Sequence, residues 1–218
     1  MFNPPAFRED RLDVMYALMR RYPLATLITN GADGPEASPL PFLLDAERGA
    51  KGTLRVHLAR ANPHWQSIRK ESGNCLIVFQ GPQAYITPSW YASKAEHHKV
   101  VPTWNYATVH VRGSLTVIDD AEWLHQQVAD LTRSQEAGRD QPWSPSDAPR
   151  DYLDTLVKGL VGLEVAITHI EGKWKMSQNR PATDRASVVG GLRDEQDPHR
   201  AADVANLVAQ WLERQMPV

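Results

Sequence analysis

A chain of 218 residues with 42% hydrophobic and 23% charged residues is one globular domain, or one domain with an appendage, and not a disordered segment. Its formal net charge of −2, without any basic block, gives no support to DNA binding through phosphate neutralisation. One cysteine, Cys75, excludes an internal disulfide framework. No stretch approaches the ~20 apolar residues of a membrane-spanning helix, and "MFNPPAFREDR" lacks the apolar run of a signal peptide. The expected location is therefore the cytoplasm, with no membrane partner.

In chain order, "REDRLDVMYALMRRYP" predicts a helix, because Leu12, Met15, Tyr16 and Met19 recur at helical spacing and Pro23 stops it. "LATLITN" and "EASPLPFLLD" predict two antiparallel strands about a Gly31 and "DGP" turn. Pro39 and Pro41 cannot donate ladder hydrogen bonds, so their neighbours lie at an edge or next to something other than a strand. "GTLRVHLA" (52–59) is a third strand. In "RANPHWQSIRKESG", Asn62 is a candidate N-cap and Pro63 a first helical residue. "NCLIVFQ" and "QAYITPSWY" predict two further strands joined at "GP", with Cys75 a small buried hydrophobe.

The stretch from Lys99 to about Ile118 predicts a long strand with an anomaly. Val109, Val111, Leu115 and Val117 share one face, and Thr108, His110, Arg112 and Ser114 the other. Extended backward, that parity puts Trp104 and Tyr106 on the polar face and Asn105 on the apolar one. Asp119 and Glu122 then resemble a capping box for a helix through "AEWLHQQVADLTRSQE". A Pro-, Ser- and Asp-rich loop, a short helix "YLDTLVKGLV", and a last strand and hairpin "GLEVAITHIEGKWKMSQN" follow. "VVGGL" reads as a turn after a short helix. A terminal helix spans Pro198–Gln215, with Asp197 as N-cap and Val204, Leu207, Val208, Trp211 and Leu212 as its stripe. Mostly antiparallel strands without βαβ alternation predict a mainly β fold, a barrel with peripheral helices.

Familiar catalytic signatures are missing. There is no GxGxxG after a strand, no P-loop and no GxSxG. No histidines stand at i, i+4, so no metal is expected. Polar and aromatic residues concentrate instead in "ASPLP", "HLARANPHW", "YITPSWYASKAEHHKVVPTWNY" and "KMSQNR" with "DRASVVGGL".

In these segments the chain resembles the PaiB-type family, flavin-binding, transcriptional-regulator-like proteins of the split-barrel fold, from about the first helix to Leu192. The resemblance implies a six-stranded antiparallel split β-barrel over residues 1–192 and a C-terminal helix, 193–218, packed on the same domain. It also implies a homodimer with FMN at the interface. It carries cofactor contacts onto Ser38, Leu40 and Pro41; onto His57, Leu58, Ala59, Arg60 and Asn62 as the phosphate-binding strand end; onto Thr103, Trp104 and Asn105; and onto Lys175, Gln178 and Arg180. Plainer readings stand beside these. Asn62 can be only an N-cap, Arg60 a solvated charge, "KMSQNR" a polar loop, and Trp104 and Tyr106 packing beneath a helix. The implied function is an FMN-binding regulator. The alternatives are an FMN-dependent oxidoreductase of the pyridoxamine-phosphate-oxidase-like fold and a haem-binding or haem-degrading relative with a histidine ligand.

Overall fold

A computed structural model describes residues 1–71 and 73–213, so the expected helix end at Gln215 lies outside the described residues. The elements are β1 (Arg8–Glu9), α1 (Leu12–Arg21), β2 (Leu24–Gly31), β3 (Gly34–Pro41), β4 (Leu43–Asp45), β5 (Thr53–Ala59), α2 (His64–Glu71), β6 (Asn74–Ile86), α3 (Lys94–His97), β7 (Thr103–Ile118), α4 (Ala121–Glu136), α5 (Arg150–Lys158), β8 (Leu160–Lys175), α6 (Ala182–Arg193) and α7 (Ala202–Glu213). The strands form one sheet in the order β3-β2-β6-β7-β8-β5-β4, with β1 added to β8. Two expectations are corrected. The sheet has eight strands, not six, and its path ends at β3 and β4 without closing. The extra strands β1 and β4 have two and three residues, too few for a period of two to show in sequence.

The chain forms two compact units. One comprises Tyr16–Phe79 and His110–Ile170. Its β2–β3 hairpin pairs Leu24 with Pro41 and Gly31 with Gly34, and β3 is the edge strand its prolines demand. β2 pairs with β6 (Leu27 opposite Ile77), β4 with β5 (Leu44 opposite Leu54), and β5 with β8 (Val56 opposite Leu163). Leu27, Ile77, Leu54, Val56, Leu163 and Val165 are all buried, each contributing about 1.5–3 kcal/mol of apolar burial. Phe42 and Phe79 meet edge to face, 5.9 Å between centroids. The N-cap of α4 is Asp120, whose side chain accepts from the Trp123 N–H at 2.7 Å, not Asp119 as the capping-box pattern suggested.

The other unit comprises Met1–Met15, Gln80–Val109 and Glu171–Val218. β1 pairs Arg8 with Lys173. α6 packs on α7, burying Val188, Leu192, Val204 and Val208. "VVGGL" is not a turn but the interior of α6. A Cβ on Gly191 would stand 2.4 Å from the Trp90 ring, so glycine is what lets that ring lie on the helix. The terminal helix α7 begins at Ala202 and not at Pro198, so Asp197 is not its N-cap; it accepts from the His199 N–H, and its other oxygen accepts from Trp90 Nε1. Among the described residues no helix is long and apolar enough to cross a membrane.

Candidate functional site

The expected contact residues fall into both units. In the second unit, β7 answers the parity anomaly. Asn105 points into the core at 0% exposure, whereas Trp104 is 53% exposed and Tyr106 half-buried. Asn105 Nδ2 donates to Ser177 Oγ at 3.0 Å, and the Ser177 hydroxyl lies 3.2 Å from Asn105 Oδ1. Ser177 adopts φ +60°, the left-handed region that non-glycine residues rarely enter. The buried amide thus holds a strained turn in "KMSQNR".

That turn gathers cations. Lys175 donates to Thr103 Oγ1 and, at 2.5 Å, to the Trp104 carbonyl. Gln178 folds back on the turn, accepting from the Met176 N–H at 2.6 Å and donating to the Trp174 carbonyl. The Arg180 guanidinium lies 4.6 Å over the Tyr91 ring. Lys173 reaches the Phe2 carbonyl at 2.9 Å and faces the Tyr106 ring. Burial, then the like charges of Lys173 and Arg180, lower the Lys175 pKa from the usual lysine range. Among the described residues none of these three cations makes an ion pair with a carboxylate. Thr103, Trp104, Asn105, Lys175, Gln178 and Arg180 are therefore brought together, with Asn105 as the buried support and not a surface contact.

The first unit holds the remaining candidates. Leu40 and Leu58 are core side chains, so only their backbones can meet a ligand, while Ala59 is exposed and Pro41 pairs opposite Leu24. Ser38 is buried, its hydroxyl 2.8 Å from His64 Nδ1. The other ring nitrogen lies 2.8 Å from Thr29 Oγ1. Asn62 Oδ1 accepts from the His64 N–H at 3.0 Å, the plainer N-cap role. Arg60 is not the free cation its position suggested. It pairs with Asp119 at 2.6 Å and donates to the carbonyls of Lys158 and Leu160. Neither the 59-residue separation from Asp119 nor that clasp has a local sequence signal. His57 Nδ1 is buried without a hydrogen-bond partner.

Burial lowers the pKa of both His57 and His64, and for His64 the Glu36 carboxylate at 3.9 Å opposes the shift. A lowered folded pKa means the unfolded chain binds the proton first. Stability is then fully present above the unfolded value, near 6.5, and is lost as pH falls from there through the folded values. The urea midpoint should accordingly be lower at pH 5.5 than at pH 7.5, and an equal or higher midpoint at pH 5.5 would contradict it.

A flavin mononucleotide needs a cationic cradle for its phosphate, flat apolar surface for its ring and hydrogen bonds for its rim. The cations at Lys175 and Arg180 and the exposed Trp104 ring supply a cradle for the phosphate and flat surface for the ring, so the residues around this turn fit FMN.

Comparison with known proteins agrees. The chain is 31% identical to an uncharacterized protein of Emericella nidulans, covering 89% of this chain and 91% of that one. It is 29% identical to the protease synthase and sporulation protein PAI 2 of Bacillus subtilis, covering 99% and 100%. Among solved structures, the FAD and heme binding protein of Mycobacterium smegmatis matches with a TM-score of 0.57 at 15% identity, over 77% of this chain and 73% of that one. A protein of Bacteroides thetaiotaomicron described as a "putative 5-nitroimidazole antibiotic resistance protein" matches at 0.56 and 14%, over 76% and 85%. These structural likenesses identify the split-barrel fold. A family model described as "Putative FMN-binding domain" matches residues 1–169, and the chain belongs to that family of FMN-binding domains.

Proposed function

We propose that the protein is a PaiB-type, FMN-binding homodimer with a regulatory role. The observation that carries the flavin assignment is the cation cluster on the Ser177 turn: Lys175 and Arg180 without a carboxylate partner, beside an exposed tryptophan. Lys175 and Arg180 hold the phosphate, and Trp104 covers one face of the ring. FMN, when bound, supplies one- and two-electron redox chemistry. The Thr103 hydroxyl and Trp104 carbonyl orient the Lys175 ammonium, and its partial burial strengthens attraction to a dianion. The regulatory role is supported by the full-length likeness to a Bacillus subtilis protein named for protease synthase and sporulation. The homodimer is supported by the exposed Phe2, Val101 and Trp104, apolar surface that a second chain would cover. Light scattering should report twice the chain mass of 24.5 kDa, and a stable monomer would sink the dimer.

The flavin assignment is tested by fluorescence titration with FMN and with riboflavin, which lacks the phosphate. A charge-assisted hydrogen bond contributes about 1.5–3 kcal/mol, so Lys175→Ala should weaken FMN binding about ten- to a hundredfold. Riboflavin binding should hardly change. Arg60→Ala, which breaks the Asp119 clasp, should not discriminate between the two ligands. Equal losses for both ligands in Lys175→Ala, or none, would refute the phosphate contact.

A further inference from the structure

Beneath α4, three side chains carry buried polar atoms without partners: Arg55 Nε, His57 Nδ1, and both Nε2 and Oε1 of Gln127, which is 0% exposed. The fold places them on facing surfaces. Arg55 and His57 are two apart on β5, so they share the face opposite the buried Leu54, Val56 and Leu58. On that face β8 sets Glu164 opposite Arg55 and Gly162 opposite His57. α4 covers the same surface. A Cβ on Gly162 would meet the Trp123 ring at 2.3 Å, Trp123 Nε1 donates to Glu164 Oε1 at 3.0 Å, and Arg55 Nη2 donates to Asp130 Oδ2 at 2.9 Å. Gln127 lies four residues after Trp123 and three before Asp130, on the helix face between these two contacts.

We propose that the seam between β5 and α4 is an internal hydration site, holding ordered water bound by Arg55, His57 and Gln127. The donor and acceptor inventory suits water. Arg55 Nε–H and Gln127 Nε2–H donate, Gln127 Oε1 accepts, and His57 Nδ1 completes the three to four partners that buried waters use. Left bare, each of these atoms would carry the full desolvation penalty of an unmade hydrogen bond. The charged neighbours, Glu164 with Arg48 and Asp130 with Arg55 and Arg133, are already paired, so a neutral ligand is required and an ion is not. The water ties the middle of α4, at Gln127, to the face of β5 that carries Arg55 and His57.

Magnetization transfer from water to the Gln127 side-chain amide protons, measured on the full-length protein, should give cross-peaks of long-lived bound water. Their absence overturns the proposal. Adding FMN should leave those cross-peaks in place, and their loss on FMN binding would mean that flavin, not water, fills the seam. Gln127→Leu reads the same question through stability. A hydrated seam loses a bridging partner and its melting temperature falls by about 3–8 °C, whereas a dry seam loses two unmet polar atoms and its melting temperature rises.

Discussion

Replacing Asn105 with leucine should cost about 2–4 kcal/mol, read as a lowered urea midpoint with unchanged slope. Leucine fills a similar volume, so the loss is not mainly one of packing. It strands the Ser177 hydroxyl, which is 3% exposed, in a backbone conformation that the Asn105 amide had helped to hold. Ser177→Gly should cost less, about 0–2 kcal/mol. It also breaks the hydrogen bond, but glycine enters the left-handed region without the roughly 1–2 kcal/mol penalty of other residues. The double variant should be more stable than the sum of the two losses, because one interaction has been removed twice. Strict additivity would mean that the pair is not a unit. On the reading that Lys175 and Arg180 hold the phosphate, Asn105→Leu should also weaken FMN more than riboflavin, since the turn that presents the cations loses its anchor.

Asn105 shows what the sequence made legible. Its parity marked it as an amide in a core position, but Ser177 lies 72 residues away and nothing local announces the partner. The edge position of β3 was legible because proline removes a donor wherever it stands. The pattern predicts two strands joined at "GP", Gly81–Pro82, whereas a single strand, β6, runs through it. Inward residues fall on Cys75, Ile77, Phe79 and Gly81, then on Ala84 and Ile86. Glycine and proline there accompany a change of parity, the signature of a bulge, and not a chain reversal. The hairpin expected within "GLEVAITHIEGKWKMSQN" is absent for a different reason, and the glycine inside that segment, Gly172, shows it. A Cβ there would stand 2.8 Å from Met15 Sδ, so that glycine serves close packing under a continuous β8 and not a turn. Arg60, expected at the phosphate-binding strand end, pairs with Asp119, 59 residues away, and no local pattern announces that partner. Local pattern reports period and backbone freedom; it does not report which distant group meets a polar side chain.

Gly113→Ala should destabilise by about 3 kcal/mol or more, toward the upper end of overpacking effects. Gly113 sits within β7 at a negative φ or an ordinary extended one, so backbone freedom is not what it provides. A Cβ at this position would stand 2.4 Å from the Ala166 carbonyl oxygen and 2.6 Å from Val165 Cγ1. The valine can change rotamer. The carbonyl belongs to β8, whose neighbouring Val165 and Leu163 are fully buried and pair opposite Leu54 and Val56 of β5. Relief would require β7 and β8 to separate, and dense interiors do not accommodate such a shift without losing contacts along both strands. Cys75, whose thiol lies 3.6 Å from the Gly113 carbonyl, would be disturbed with them. Burial holds that thiol up at about 11 and unreactive, so its reaction with a thiol reagent reports opening of this region. Gly113→Ala should therefore lower the urea midpoint and speed Cys75 labelling in buffer. A stable variant with Cys75 as protected as in the parent would show that the two strands can part without cost.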